Sequence, residues 1–148
     1  MLKPIDQIRA MMQGKVPPPG IAKHLDMRIT EVSEGKTTMQ MPVDKRYSNM
    51  IGSLHGGTMC ELADAAMGTA FATTLEESES YTTVELKCNY LRPTWETMLT
   101  ATAWVVSRGK TIGLAECELH DGEKRLIAKL SSTLMVLRGE KSKGRELR

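Results

Sequence analysis

Two features of this sequence carry residue types suited to chemistry: the glycine pair Gly56-Gly57 and the carboxylate of Asp64. The glycines follow His55 and open a stretch of helical periodicity. A helix N-terminus presents amide N–H groups that lack intrahelical acceptors, together with a partial positive charge, and glycine lets a ligand oxygen approach unobstructed. Such a terminus can hold the oxyanion that develops when a carbonyl is attacked. Its plain structural alternative is a tight loop-to-helix transition. Asp64 stands among Ala63, Ala65, Ala66 and Met67. An ionisable group in apolar surroundings is costly unless something pairs with it or uses it. Placed there, a carboxylate can act as a general base on water or attack directly as a nucleophile. Glu61, nearer the loop, is the rival carboxylate and reads as exposed.

Gly56 and Asp64 are eight residues apart, which is about 12 Å along a helix axis. One copy of the chain cannot bring both to the same carbonyl. Two copies related by a two-fold axis, with these helices side by side and antiparallel, bring the Gly56 end of one to Asp64 of the other. The expectation is a homodimer with two composite sites and an inactive monomer.

The elements that must position these groups follow from periodicity. Met59, Leu62, Ala63, Ala66, Met67, Ala70 and Phe71 recur three and four apart, and the intervening positions are mostly small. A helix apolar or small on nearly every side is one meant to be surrounded, so it belongs in the middle of the protein. Before it, residues 26–33 and 36–43 flank Glu34-Gly35 as a first hairpin. After it come β-like runs at 81–91, 96–107, 111–120 and 124–137, with breaks at Arg92-Pro93, Arg108-Gly109-Lys110 and Asp121-Gly122. Read as consecutive hairpins, they imply an antiparallel sheet. The class expected is α+β, the hotdog fold: a curved antiparallel sheet wrapped around a long central helix. Residues 1–25 read as a short helix over 5–13 and a Pro-rich connection, residues 26–138 as the single folded domain, and residues 139–148 as a basic, solvated tail.

Composition excludes several classes. Hydrophobic residues make up 41% and charged residues 26% of the 148-residue chain, which suits one globular domain. The formal charge of +2 hides a tail carrying five basic and two acidic residues from Arg138 onward, so the rest of the chain is near −1. That distribution is not a folded nucleic-acid patch. No stretch has the apolar length of a membrane span, and the N-terminus lacks signal-peptide character, so the default location is the cytosol. Cys60, Cys88 and Cys117 lack the spacing of metal ligands or redox pairs and read as buried thiols; with three scattered histidines, a zinc site is not expected.

The segment 49–68, NMIGSLHGGTMCELADAAMG, resembles the signature of the phenylacetyl-CoA (PaaI-type) branch of hotdog acyl-CoA thioesterases, and similarity extends through VELKCNYLRPT (84–94) and KLSSTLMVL (129–137). The resemblance implies hydrolysis of an acyl- or aryl-CoA thioester with no metal or redox cofactor. By position, it makes Asp64 the catalytic carboxylate and gives the amide of Gly56 or Gly57 the task of polarising the thioester carbonyl. Asn49 and His55 would support that end, and Thr83 would help position water. At a helix N-terminus the dipole disfavours a protonated imidazole, so His55 is expected to be a neutral hydrogen-bonding group. Similarity also suggests that basic groups at strand ends hold CoA, the candidates being Arg92, Arg108, Lys110 and Arg138. The expected assembly is a homodimer, paired again into a homotetramer. Met39, Met41, Met50, Met59 and Met67 cluster near the proposed site in sequence; some could line an acyl pocket, while most belong to the core. Two other readings remain: an acyl-CoA hydratase or dehydratase of the same fold, and a non-catalytic acyl-CoA-binding protein.

Overall fold

The computed structural model describes residues 3–145. Its centre is the helix α3 (Gly56–Ala72), preceded by α1 (Pro4–Met12), α2 (Gly20–His24) and the strands β1 (Arg28–Ser33) and β2 (Lys36–Val43). The strands β3 (Ser80–Tyr90), β4 (Thr97–Arg108), β5 (Ile112–His120) and β6 (Leu126–Leu137) follow. All six pair antiparallel in one sheet of order β1-β2-β4-β5-β6-β3.

Alternation along the strands explains how the sheet takes the helix. Thr37, Met39, Met41 and Val43 of β2 are buried while their neighbours are more open, the two-residue period of a half-covered strand. Leu99, Ala101 and Ala103 of β4 and Ala115, Cys117 and Leu119 of β5 are fully buried. Register sets Ala103 beside Thr37 and Cys117, and Ala101 beside Met39 and Leu119. Small side chains in the middle rows let α3 lie close to the sheet, and Leu62, Met67 and Phe71 fill the space between. Gly35, at φ +72°, makes the β1–β2 turn, and its N–H donates to Thr73 Oγ1 at 2.7 Å, which ties the hairpin to the end of α3.

Three features differ from the sequence expectations. The Arg92-Pro93 break is a crossover: β3 pairs with β6 at the far edge, and residues 91–96 carry the chain to β4 in the sheet interior. Proline and arginine signalled a break, but a break does not say which strand comes next to which. The Pro-rich connection holds the extra helix α2, with Pro19 as its N-cap. The tail is largely exposed, as a solvated end would be, but takes a defined path: residues 139–142 form a short 3-10 turn, and Ser80 Oγ donates to the Arg145 carbonyl at 2.7 Å. Residues 146–148 of the expected solvated end lie outside the described residues. Among the described residues no helix is long and apolar enough to cross a membrane.

Candidate active site

Helix α3 turns ten residues into the core. Gly57, Glu61, Asp64, Ala65 and Thr69 form the less buried stripe on its other side. Asp64 is therefore half-buried in the single chain, where the apolar sequence around it suggested full enclosure. Its Oδ1 accepts a hydrogen bond from Thr83 Oγ1 at 3.0 Å. Thr83 lies on β3, at the sheet edge, just before the pairing with β6 shifts register between Thr83 and Glu85. Tyr81, two residues earlier and so on the same strand face, meets α3 one turn further on: a Cβ on Gly68 would collide with the Tyr81 hydroxyl. Glycine disfavours a helix interior by about 1 kcal/mol relative to alanine, and here it makes room for that phenol. Burial, and then the negative charge of Asp64, push the Tyr81 phenol up to about 12, so it is a neutral hydrogen-bond donor at physiological pH.

The other end of the stripe is built from the loop before α3. Asn49 organises that loop internally: its Nδ2 donates to Ser53 Oγ at 2.9 Å and its Oδ1 accepts from the Ile51 N–H at 3.0 Å. His55 caps the helix, its Nδ1 accepting from the Gly57 N–H at 2.9 Å. The same bond separates the two glycines. Gly57's amide is engaged by His55, whereas the Gly56 N–H meets no acceptor among the described residues. Tyr90 of β3 lies over Gly56, where a Cβ would come within 2.7 Å of the ring, and its hydroxyl is 3.3 Å from Cys60 Sγ. Tyr90 and Gly56, together with His55, Leu91, Arg92 and Pro93, border a cleft of about 550 Å³.

The structure brings Arg92 to the Gly56 end and places the other three basic candidates elsewhere. Arg108 donates to Glu79 Oε2 at 2.9 Å and to Thr74 Oγ1 at 3.2 Å, and its guanidinium lies over the Phe71 ring, at the C-terminal end of α3. Arg138 also pairs with Glu79. Both are engaged within the chain, and Lys110 is exposed in the β4–β5 turn. Of the three cysteines only Cys117 is buried; Cys60 and Cys88 are half-buried, a correction to the reading of all three as buried thiols, because they sit toward the Tyr90 edge. Among the methionines, Met39, Met41, Met59 and Met67 are buried and Met50 is fully exposed. Sequence reasoning missed Tyr81, Tyr90 and Glu79. The only available signal was Tyr81-x-Thr83, two polar-tipped residues at strand spacing opposite a carboxylate-bearing helix.

Comparison with known proteins agrees with this architecture. Residues 51–128 match the model of the thioesterase superfamily. A thioesterase family protein from Silicibacter pomeroyi is similar in structure with a TM-score of 0.81 and 30% identity, over 89% of this chain and 99% of that one. The PaaI protein of Escherichia coli, from its phenylacetic acid degradation operon, shares the fold with a TM-score of 0.80 at 24% identity, over 91% and 96% of the two chains. In sequence, the 1,4-dihydroxy-2-naphthoyl-CoA hydrolase of Listeria monocytogenes is 27% identical over 122 residues, 82% of this chain and 99% of that protein. With its central helix on a six-stranded antiparallel sheet and a family match over more than half its length, the chain belongs to the thioesterase superfamily and is a thioester hydrolase of the hotdog fold.

Proposed function

We propose that the protein hydrolyses an acyl- or aryl-CoA thioester to the free acid and CoA, with Asp64 as the hydrolytic carboxylate and the Gly56 N–H as oxyanion donor. The observation that carries this reading is the placement of Asp64 on the open stripe of α3, where Thr83 holds its carboxylate beside the edge strand β3. A second copy pairing along β3 about a two-fold axis sets two α3 helices side by side and antiparallel. Each Asp64 then faces the Gly56 end of its twin, and two composite sites arise. The long edge strand supports this pairing, since an exposed row of backbone donors and acceptors favours another strand, and Val84 on it is 56% exposed. Dimers would pair again into a tetramer.

In this arrangement the Gly56 amide polarises the thioester carbonyl. Asp64 either draws a proton from water as the water oxygen bonds to the carbonyl carbon, or attacks that carbon itself to give an anhydride that water then opens. Either way the carbon–sulfur bond breaks and the CoA thiolate leaves and is protonated. Arg92, beside the Gly56 cleft, is the basic group best placed for a CoA phosphate. The reading needs no metal or redox cofactor.

Asp64→Asn tests it. An asparagine oxygen still accepts from Thr83, so the fold is retained while the base or nucleophile is removed. Turnover of acyl-CoA thioesters should fall by about 10²- to 10⁴-fold with the melting temperature held. A protein that only binds acyl-CoA has no turnover to lose, and a hydratase would act on enoyl-CoA without releasing thiol; either result rejects the proposal.

A further inference from the structure

Beyond Asp64 the open stripe of α3 does not run into solvent. Ala65, Thr69 and Ala72, four and three residues apart, line a second cavity of about 570 Å³. Its roof is the N-terminal strap: Met11 and Met12 at the end of α1, then Val16 and the three prolines that follow. The strap is anchored at both ends by buried Ile8, Ala22, Leu25 and Met27, so it spans the cavity instead of filling it. Ile29 and Met39 close the side toward β1 and β2. Tyr81 forms the side toward Asp64, reaching Gly68, one helical turn past that carboxylate. At 1.5 Å of rise per residue, the lining from Ala65 to Ala72 extends about 10 Å along the helix.

The lining offers nothing for a charged ligand. Arg28 is turned to Asp26 in a bidentate pair, and Thr69 Oγ1 donates to the Ala65 carbonyl at 2.7 Å. The Tyr81 hydroxyl, with no protein acceptor among the described residues, is the one polar group on the Asp64 side. The nucleotide and its phosphates fit the other cleft, where Arg92 stands. Volume and lining are those of a pocket for a compact apolar group.

We propose that the strap-roofed cavity is the acyl site: the acyl group of the thioester passes Tyr81 from the carbonyl at Asp64 and lies under Met11, Val16 and the prolines. The N-terminal segment is then a specificity element, and the enzyme selects medium-length apolar acyl groups over acetyl. This inference rests on the reading of Asp64 as the hydrolytic carboxylate.

The test is chain-length selectivity in the full-length protein, with acetyl-, octanoyl- and dodecanoyl-CoA as substrates. In the wild type, kcat/KM should rise by about fourfold per methylene added until the cavity is full. Thr69→Leu occupies the cavity and loses a bond to its own helix and a long contact to Met39 Sδ; it should lower kcat/KM for octanoyl-CoA by about tenfold or more while changing acetyl-CoA little. Met11→Ala enlarges the roof and should shift the preference toward dodecanoyl-CoA, which decides the matter if the first variant fails to fold. Equal losses on all three substrates, or an unmoved profile in the folded variants, would overturn the proposal. Asp64→Asn run in parallel separates the two failures: if it abolishes turnover while the profile ignores both cavity variants, only the acyl-site assignment is wrong, and if it leaves turnover intact, the site itself is.

Discussion

The sharpest distinction at the scale of single residues is between two adjacent glycines. His55 engages the Gly57 N–H and leaves that of Gly56 directed outward from the helix start. Proline at the first helical position is tolerated because the missing N–H has no intrahelical partner, and His55, at φ −65° and ψ 131°, already has the backbone a following proline requires. Gly56→Pro therefore deletes one hydrogen-bond donor without removing an intrahelical bond, and its ring displaces the exposed Tyr90 side chain, which a Cβ at this position would meet at 2.7 Å. The expected result is a fall in kcat of about 10²- to 10³-fold beyond that of Tyr90→Ala, which removes the same ring and keeps the amide. An unchanged kcat would take Gly56 out of the reaction. His55 orients this end of the helix, its Nδ1 accepting from the Gly57 N–H in the first turn.

At the scale of elements, the end of α3 far from Gly56 is secured by charge. Glu79, its side chain 8% exposed, accepts from Arg108 and Arg138 and so joins the start of β3 to the ends of β4 and β6. Desolvation alone would raise the Glu79 carboxyl, but the Glu76 N–H and the Arg138 and Arg108 guanidinium groups outweigh it and hold it below its ordinary value of 4.5. A carboxylate depressed in the folded state adds stability that is fully present above the unfolded value and is lost as pH falls through the folded one. Wild-type melting temperature should accordingly drop below pH about 4.5. Glu79→Gln should be less stable at neutral pH by about 1–3 kcal/mol and show a shallower acid decline. Parallel acid limbs in the two proteins would mean that Glu79 is not among the groups titrating there. The same pairing engages Arg108 through all three guanidinium nitrogens, which also reach Thr74 and the Gly109 carbonyl, and Arg138 through one.

For the whole molecule, the proposed composite site makes a prediction that no single-chain site shares. Asp64→Asn and Gly56→Pro should each be nearly inactive as homodimers. Unfolded together and refolded, they form hybrids in which Asp64 of one chain faces Gly56 of the other, so activity should return to about a quarter of wild type, half the dimers carrying one intact site of two. A mixture as inactive as its components would show that both groups act within one chain. Recovery also requires that subunits exchange only on refolding, and mixing the folded variants without denaturant is the control.

What the sequence determined by itself was set by local periodicity. The three-and-four spacing from Met59 to Phe71 marked the body of α3, which the structure extends to Gly56–Ala72, and alternation marked β2 at its observed bounds. An acid in an apolar helix made Asp64 conspicuous, and the glycines before it marked a helix start, because capping and burial are short-range physics that neighbouring residues record. Long-range pairing leaves no such local trace. That β3 crosses to the far edge beside β6, that Tyr81 and Thr83 meet α3 one turn apart, and that Glu79 pairs with both Arg108 and Arg138 were decided by the tertiary structure. The cavity under residues 11–19 is of the same kind: each residue there reads as an ordinary apolar or turn position, and only the folded chain puts a roof of methionine and proline over the helix face next to Asp64.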